Sequence, residues 1–352
     1  MNRKNIFKKL INPKNNDVHV IAEMSGNHKN SLTAAKKFVI AANKNGADII
    51  KFQVYKPETI TFKSNNKDFL VEKKGGWKKY KYLYELYNKA YTPWKWIEEL
   101  AKLCNSLNQE WFASPFDETA VDFLEKLKCK AYKLASPEIT DIGLIEKISK
   151  TKKPIIISTG LAQKKDIDLA LATVKKFHKN FAILQCTSSY PCPNNETNLL
   201  SIPMLKKEYK CSIGFSDHTI GFNAPRTAVA LGATIIEKHF KLDNDNKSID
   251  SRFSTNINDL KSLKKDFKNI KENMGISTYD ISNSALSGLS GRRSLYAIKD
   301  IKKGEKLTLK NIKSIRPHYG LHPKYLKKII NKKATKNIKA GTRLEKKLIK
   351  GI

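Results

Sequence analysis

The sequence contains no apolar run long enough to cross a membrane. No stretch of the 352 residues approaches the roughly 18 consecutive apolar residues that a membrane span needs. The opening segment, residues 1–14, is polar and basic and lacks the apolar centre of a secretory signal. Both observations predict a soluble protein of the cytoplasm that has no membrane partner.

Cysteine is scarce and its spacing is uninformative for metal or disulfide chemistry. The chain has 5 cysteines, an odd number, and none forms a Cys-x-x-Cys pair. This excludes a disulfide framework and a zinc-ligand pattern, so we predict five reduced thiols. Cys186 is a possible nucleophile by residue type, but it lies in an apolar run, which favours a small buried side chain.

Acidic residues are few, with 33 Asp and Glu against 67 Lys and Arg, and the net charge is +34. Such an excess would suit a nucleic-acid binder. The lysines are scattered along the whole chain, however, and the aromatic residues do not interleave with them as a base-stacking surface requires. We therefore predict no nucleic-acid partner, while noting that the field would also favour small anionic substrates.

A glycine-rich Gly-x-Gly-x-x-Gly segment is absent after the first β-prone run, which disfavours an open dinucleotide-binding sheet. Instead, short β-prone runs alternate with helical stretches such as Ser31–Asn45 and Lys164–His178. Eight such units over about 250 residues predict a (β/α)8 TIM barrel, with a doubly wound open sheet as the alternative. The eight predicted strands are His19–Met24, Asp48–Gln53, Glu110–Pro115, Ala131–Ser136, Pro154–Thr159, Phe181–Thr187, Ser212–His218 and Thr234–Phe240.

One predicted connection, between Gln53 and Glu110, is too long for an ordinary loop. It carries Gly75-Gly76-Trp77, a tyrosine-rich segment and the aromatic run Tyr91–Trp96. A long aromatic loop after a barrel strand lies over the mouth and suits a lid or a specificity element. Packing of an additional helix onto the barrel explains the same aromatics equally well.

The composition changes after Gly275 to a stretch rich in Ser, Gly and Asn, which predicts a linker over residues 276–292. Residues 293–352 then read as a small β-rich domain with glycine turns, holding 19 basic and 3 acidic residues. A domain of this size is marginally stable alone. The predicted organisation is a barrel domain over 1–275, a linker over 276–292 and the small domain over 293–352.

Two histidines end consecutive predicted strands, in Gly214–His218 and Ile235–Phe240. One helix, Pro225–Leu231, separates them. Because the carboxyl ends of barrel strands meet at one mouth, the two imidazoles are expected to lie close together. They predict a metal site with positions left open for water or substrate. Local capping of each strand by its own histidine is the alternative.

Eight short motifs resemble the sialic acid synthase family in order and spacing, and the C-terminal domain resembles that family's antifreeze-like SAF domain, a β-clip fold. The resemblance covers almost the whole chain. The motifs are Ala22–His28, Lys51-Phe52-Gln53, Ser114-Pro115-Phe116, Tyr132-Lys133, Ser158-Thr159-Gly160, Cys186-Thr187, Ser216-Asp217-His218 and Glu237–Phe240.

Three further segments, Tyr91–Trp96, Ile249–Ser254 and Arg316–Pro323, are most similar to the branch of this family that makes pseudaminic acid. The resemblance implies a transferase that condenses phosphoenolpyruvate with an N-acetylated amino-sugar aldehyde and releases phosphate. For this branch it implies 2,4-diacetamido-2,4,6-trideoxy-altrose. The alternatives are synthesis of N-acetylneuraminate or legionaminate. A nonenzymatic nucleic-acid or glycan binder that uses the basic C-terminal domain is the alternative of another class.

By the same resemblance, His218 and His239 hold a divalent metal, Mn²⁺ or Mg²⁺, and Glu23 handles a proton of the sugar or of the attacking water. The resemblance also implies that the phosphate and carboxylate of phosphoenolpyruvate are bound by Lys51, Lys133, Ser158 and Ser216. The residues implied to face the sugar or the metal are Gln53, Glu138, Tyr190 and Asp250.

The residue types support these assignments to different degrees. Lys51 and Lys133 lie inside apolar runs, where an unpaired ammonium is costly, so a bound anion explains them better than packing does. Glu23 ends the first strand and so points into the mouth. For Ser158 the anion contact is favoured, and an N-cap of the following helix is the alternative.

Two positions depart from the family pattern. Ser188 stands where sialic acid synthases often carry Asn, which affects a phosphate contact and fits the pseudaminic branch. Ile97 follows Trp96 where that branch often has His. Arg316, with Pro317, resembles a turn that reaches over the barrel of another subunit, which implies a domain-swapped homodimer.

Overall fold

The structure is a computed structural model that describes residues 5–72, 77–243 and 245–352. The chain divides into two compact units, residues 1–275 and residues 276–352. Each unit has its own hydrophobic core. The two units are therefore described one after the other.

The first unit is a closed barrel of eight parallel strands, and the predicted (β/α)8 architecture is confirmed. Each strand pairs with the next in chain order, and β1 pairs with β8 to close the barrel. A short strand β9, Thr255–Asn256, pairs in parallel with the last two residues of β8. The barrel strands are β1 His19–Glu23, β2 Ile49–Val54, β3 Glu110–Pro115, β4 Tyr132–Leu134, β5 Ile155–Ser158, β6 Phe181–Cys186, β7 Ser212–Asp217 and β8 Ile235–Lys241.

The barrel strands are buried along most of their length because helices cover the outer face of the sheet. Side chains of Ser31, Asp117 and Asp141 accept a backbone N–H at the start of their helices. Within the described ranges, no helix is long and apolar enough to cross a membrane. The helices of this unit are α1 Ile6–Leu10, α2 Leu32–Lys44, α3 Pro57–Ile60, α4 Leu83–Ala90, α5 Trp94–Ser106, α6 Glu118–Lys126, α7 Ile142–Lys150, α8 Lys164–Lys175, α9 Ser201–Tyr209, α10 Asn223–Ala230 and α11 Leu260–Met274.

Strand β4 is shorter than the predicted run Ala131–Ser136. It ends at Leu134, and a 3-10 turn, Pro137–Thr140, begins soon after it. Pro137 has no backbone N–H to donate to a neighbouring strand, so the ladder stops before it. Glu138 N bonds to the carbonyl of residue 135 instead. The early end of β4 places Glu138 on a turn rather than on the strand.

The long connection between β2 and β3 contains α3, α4, α5 and a hairpin. Ile97 and Leu100 of α5 are completely buried in the barrel core, so this helix does pack onto the barrel. The hairpin stem pairs residues 70 and 71 with 82 and 81, respectively. Gly75 and Gly76 lie outside the described residues. The role of the hairpin as a lid stays a prediction.

The second unit is small and β-rich. Strands β10, Ser294–Ala297, and β11, Ile312–Ile315, pair antiparallel, and single-residue bridges connect the remaining extended segments. Gly304 and Gly341 have positive φ values of 83° and 80°, which suits the predicted glycine turns. A 3-10 helix, Asn283–Gly291, lies in the exposed segment that precedes β10.

Candidate active site at the barrel mouth

The register of the strands brings the predicted site residues together at the carboxyl end of the barrel. Glu23 on β1 pairs in register with Lys51 on β2 and with His239 on β8. Ser216 on β7 pairs with Glu237 on β8. Gln53 lies at the same end of β2 and is half-buried. These side chains therefore share one mouth.

A buried cluster of two lysines and two carboxylates forms the floor of this mouth. Lys51 Nζ lies 2.7 Å from Glu23 Oε2 and 2.8 Å from Glu237 Oε1. Lys133 Nζ lies 3.9 Å from the same Glu237 oxygen. A bound anion at these two lysines stays a prediction, and Glu23 and Glu237 supply internal counter-ions that the sequence did not indicate. Burial lowers the pKa of Lys51 to about 8, and the charge of Glu237 limits that decrease.

Glu237 is a site residue that the sequence analysis did not assign. Its side chain is buried and also accepts a 3.2 Å hydrogen bond from Ser216 Oγ. Burial opposes its ionisation, but the nearby charges of Lys133 and Lys51 lower the pKa of Glu237 below its usual value. The sequence does indicate this residue, because side chains alternate along a strand. Glu237 is two residues before His239 and therefore faces the same side of β8.

His218 and His239 lie next to each other, with ring centroids 5.4 Å apart. His218 Nδ1 is 2.9 Å from the carbonyl of Thr187. That contact assigns an N–H to Nδ1, so Nε2 carries the lone pair when the ring is neutral. His239 Nδ1 is buried and has no hydrogen-bond partner among the described residues. Burial, followed by the charges of His218 and Lys51, lowers the pKa of His239 well below its usual value, so this ring is neutral.

This donor set fits an open catalytic metal site. Across the described ranges, no group of three or more His, Cys, Asp or Glu side chains is arranged to hold a metal ion. A closed structural metal site needs four protein ligands, whereas a catalytic site leaves positions for water and substrate. A ligating histidine nitrogen must carry a lone pair, so the ring must be neutral when it binds the metal. Two histidines with positions left open for water and substrate suit a catalytic site rather than a structural one.

A buried ion pair ties the two histidine-bearing segments together from the outer face of the sheet. Lys238 Nζ lies 2.5 Å from Asp217 Oδ2 and donates to the carbonyl of Thr219 at 2.7 Å. Asp217 Oδ1 accepts a 2.8 Å bond from the Thr219 backbone N–H. Both charged side chains are completely buried. Because side chains alternate along β8, this pair lies opposite to His239. The sequence analysis did not identify it.

Hydroxyl groups converge near Gly160, which follows β5. Ser136 Oγ accepts a 3.0 Å hydrogen bond from Gly160 N, and a Cβ at Gly160 would clash with Ser188 Oγ. Ser158 Oγ is buried and without a partner among the described residues. The next helix, α8, begins after Gln163, so Ser158 does not cap it. This cluster offers several donors to an anion.

Cys186 is buried, as the sequence predicts, but it is not isolated. Its Sγ lies 3.9 Å from His218 Nδ1 and 3.9 Å from Ser188 Oγ. Burial opposes ionisation of the thiol, yet the neighbouring charges of His218 and Lys133 lower the pKa of Cys186 to about 7. The cysteines at 104, 129, 186, 192 and 211 are all buried and free.

The predicted sugar-facing residues lie around the same mouth. Asp250 Oδ2 accepts hydrogen bonds from Ser25 Oγ at 2.6 Å and from Gly26 N at 3.0 Å. The Tyr190 ring centroid is 4.2 Å from that of His218. Burial raises the pKa of Glu138 to about 7. Ile97, in contrast, is completely buried in the barrel core.

Arg316 belongs to the second unit, where its residue is exposed and the peptide bond to Pro317 is cis. Its predicted contact with a sugar in another subunit stays a prediction. The neighbouring Ser294 Oγ donates to the carbonyl of Pro317 at 2.7 Å and accepts from Gly320 N at 2.9 Å. These bonds fix the turn that follows the arginine.

A closed parallel barrel with buried lysines, carboxylates and two histidines at its carboxyl end is the arrangement of a TIM-barrel enzyme that acts on an anionic substrate. The NeuB family model matches residues 38–279, and the SAF domain model matches residues 292–350. The chain therefore belongs to the NeuB family, and the family resemblance expected from the motifs is confirmed.

Individual relatives agree with this assignment. A pseudaminic acid synthase of Campylobacter jejuni is 42% identical over 331 residues, which cover 93% of this chain and 95% of the relative. An N,N'-diacetyllegionaminic acid synthase of the same species is 35% identical over 325 residues, covering 91% and 96%. The crystal structure of an N-acetylneuraminic acid synthetase from Leptospira borgpetersenii, in complex with citrate, is 30% identical with a TM-score of 0.70, covering 78% of this chain and 91% of that one.

Proposed function

We propose that this chain catalyses the pseudaminic acid synthase reaction, in which phosphoenolpyruvate condenses with 2,4-diacetamido-2,4,6-trideoxy-altrose and phosphate is released. The observation that carries the proposal is the identity of 42% to a pseudaminic acid synthase over 93% of the chain, against 35% to a legionaminic acid synthase. Family membership also favours an enzyme over the alternative of a nonenzymatic binding protein.

Phosphoenolpyruvate is proposed to bind over the buried cluster. Lys51 and Lys133 provide the cationic contacts, and the hydroxyls of Ser158, Ser188 and Ser216 provide neutral donors. The positive charges of the two lysines are already balanced by Glu23 and Glu237. Neutral donors such as the partnerless hydroxyl of Ser158 therefore carry a substantial share of the binding.

The sugar is proposed to bind on the outer side of this anion, between Gln53, Tyr190 and Asp250. Asp250 is held by Ser25 and Gly26, so its position is fixed before the substrate arrives. Glu23 is the proposed proton-handling group for the sugar or the attacking water. Glu138 provides a second carboxyl group, and its raised pKa of about 7 lets it hold a proton near neutral pH.

Synthases of the NeuB type depend on a metal ion. We propose that His218 and His239 hold Mn²⁺ or Mg²⁺ in this chain. Such an ion supplies Lewis-acid polarisation of the aldehyde oxygen when it is bound. The partnerless ring nitrogen of His239 and the assigned tautomer of His218 support the proposal.

The substrate proposal is tested by measuring phosphate release from phosphoenolpyruvate with the purified full-length protein. The three sugars to compare are the altrose derivative and the precursors of legionaminate and N-acetylneuraminate. We expect kcat/KM to be highest with the altrose derivative. A higher kcat/KM with either other sugar reassigns the substrate, and phosphate release that does not require any sugar contradicts the synthase reaction.

The metal proposal is tested by chelation and by substitution of one ligand. Chelation should abolish turnover and added Mn²⁺ should restore it, and His218→Ala should behave as the chelated enzyme does. Free Mn²⁺ followed by electron paramagnetic resonance should show tight binding to the unaltered chain and weak binding to His218→Ala. His178→Ala is the matched control, since the half-buried His178 lies between α8 and β6, at the opposite end of the barrel from the mouth. Full activity in chelator would exclude the two-histidine site.

A further inference from the structure

Within the described part of the chain, a buried hydrogen-bond donor without a partner lies in the hairpin inserted between β2 and β3. In the stem, Leu70 pairs with Tyr82, and Val71 N donates to Lys81 O at 3.0 Å. Trp77 lies between these two strands of the stem. Its Nε1 is buried, yet it has no hydrogen-bond partner among the described residues. An unsatisfied buried donor costs about 1–3 kcal/mol, so such groups are rare without a reason.

The ring of Trp77 belongs to an aromatic wall above the two histidines, formed by Trp77, Tyr190 and Phe253. The Trp77 centroid is 5.4 Å from that of Tyr190 and 6.1 Å from that of Phe253. Tyr190 lies 4.2 Å from the ring of His218, and Phe253 lies 5.0 Å from the ring of His239. Trp77 is therefore the outer member of a wall that faces the candidate metal site.

Two other tryptophans of the chain, Trp94 and Trp111, satisfy their indole N–H inside the fold. Trp94 Nε1 donates to the carbonyl of Tyr55 at 3.2 Å. Trp111 Nε1 donates to Asn105 Oδ1 at 3.3 Å. Both residues anchor a helix or strand of the barrel. Trp77 differs because its donor is buried and no acceptor for it lies among the residues that the structure describes.

The donor on Trp77 and the aromatic rings beside it indicate which kind of substrate group Trp77 contacts. An indole N–H only donates, so its partner must present an acceptor oxygen. In the proposed function, the anionic oxygens of phosphoenolpyruvate contact Lys51 and Lys133 and the serine hydroxyls at the floor. The Trp77 ring lies beside the aromatic rings of Tyr190 and Phe253, which favour an apolar neighbour. An acetamido group combines an acceptor carbonyl with a methyl group and matches both properties.

We propose that Trp77 binds an acetamido group of the sugar substrate. The indole N–H donates to the amide carbonyl, and the methyl group packs on the rings of Tyr190 and Phe253. This assignment rests on the proposed function, because the altrose derivative carries two such groups. Trp77 then determines specificity through substrate binding and does not take part in the chemical step.

The test compares Trp77→Phe with the unaltered enzyme, since phenylalanine keeps an aromatic ring and removes the donor. We expect the KM for the altrose derivative to rise about 10-fold, which corresponds to one lost hydrogen bond of about 1.4 kcal/mol. The kcat and the KM for phosphoenolpyruvate should stay within about 2-fold, because the floor is unchanged. Trp111→Phe is the control and should leave both KM values unchanged.

Sugar analogues identify the contact itself. In two analogues, either the 2-acetamido or the 4-acetamido group is replaced by hydroxyl. For one of the two analogues, the KM of the unaltered enzyme should already be as high as the KM of Trp77→Phe for the parent sugar. Substituting Trp77 should then not raise the KM for that analogue any further. An unchanged sugar KM in Trp77→Phe, or an equal loss on both analogues and the parent sugar, overturns the inference.

The outcome for Trp77 can be separated from the outcome for the proposed function. If the unaltered enzyme prefers the precursor of legionaminate or of N-acetylneuraminate, the altrose assignment fails. Those sugars also carry an acetamido group, so the same comparison with the preferred sugar still decides the role of Trp77. Circular dichroism and a thermal melt of Trp77→Phe should match those of the unaltered enzyme, which excludes general unfolding as the cause.

Discussion

Lys133 is a buried lysine with few internal partners for its ammonium group. It is almost completely buried, its Nζ donates to the carbonyl of Leu134 at 3.1 Å, and Glu237 is 3.9 Å away. The nearer ion pair of Glu237 is with Lys51 at 2.8 Å. Lys133 therefore has the weaker internal counter-ion of the two lysines, and it can share more of its charge with a bound anion.

At the residue scale, we expect Lys133→Ala to weaken use of phosphoenolpyruvate far more than use of the sugar. Losing a buried charged contact to a bound anion costs on the order of 2–5 kcal/mol, so the kcat/KM for phosphoenolpyruvate should fall by about 30-fold or more. Steady-state phosphate release with each substrate varied measures this. Lys130→Ala removes an exposed lysine and should change neither value. An unchanged dependence on phosphoenolpyruvate removes Lys133 from the site.

The raised pKa of Glu138 predicts that the stability of the folded chain depends on pH. Burial raises its pKa from 4.5 to about 7 in the folded state, so the folded chain holds a proton that the unfolded chain releases between these values. The stability that Glu138 contributes is therefore present below about pH 4.5 and is lost as the pH rises through 7.

Relative to the unaltered chain, Glu138→Gln should therefore gain stability, on the order of 2 kcal/mol, between pH 5 and pH 8. Urea unfolding of the barrel at several pH values, without substrate or metal, provides the measurement. Glu58→Gln, at an exposed glutamate, is the control and should show no such trend. A constant difference between Glu138→Gln and the unaltered chain across this range contradicts the raised pKa.

At the scale of elements, the contact between β7 and β8 positions both histidines. Gly214 on β7 pairs in register with Ile235 on β8. A Cβ at Gly214 would come within 2.6 Å of both Ile235 Cβ and Leu184 Cδ2. Because these neighbours are completely buried, they have little room to move. The absence of a side chain at Gly214 is what lets the two strands approach.

We expect Gly214→Ala to destabilise the barrel by about 1–3 kcal/mol through overpacking. Because β7 and β8 carry the histidines, Mn²⁺ affinity should fall together with stability. Gly288→Ala is a matched control, since a Cβ there meets nothing within 4 Å and its φ is not positive. Urea unfolding and Mn²⁺ titration of both variants make the comparison. Equal stability of the two variants would show that β7 and β8 can separate without cost.

At the scale of the whole molecule, the second unit has its own core, which includes Leu295, Leu307 and Ile312. The segment before it, residues 276–291, is almost entirely exposed. The domain-swapped homodimer that the sequence predicts stays a prediction, and it requires this segment to let the small unit reach another subunit. The guanidinium of Arg316 suits a contact with an acetamido carbonyl, because its planar fork directs several N–H groups to one side.

The dimer prediction is tested by mixing two inactive chains. Arg316→Ala and His218→Ala should each dimerise and each lack activity. If Arg316 serves the partner's barrel, a mixed dimer places both lesions at one site and leaves the other site whole, so activity should reappear on mixing. If Arg316 serves its own barrel, every site carries a lesion and no activity should return. Light scattering of the mixture verifies the dimeric state.

Local patterns were sufficient to predict the barrel and the histidine pair. Buried strands produce short apolar runs, and parallel strands place their carboxyl ends at one mouth whatever the details of packing. His218 and His239 could therefore be paired without coordinates. Glu237 could have been added by the same alternation along β8.

The contacts between residues that are distant in sequence form only when the barrel closes, and local sequence patterns do not predict them. Lys51 and Glu237 are 186 residues apart in the chain, and no local feature shows that they neutralise each other. The buried pair of Lys238 and Asp217 and the partnerless indole of Trp77 are likewise visible only when distant segments meet. The charge and hydrogen bonding of a side chain depend on its neighbours in space, and those neighbours are set by tertiary packing rather than by sequence distance.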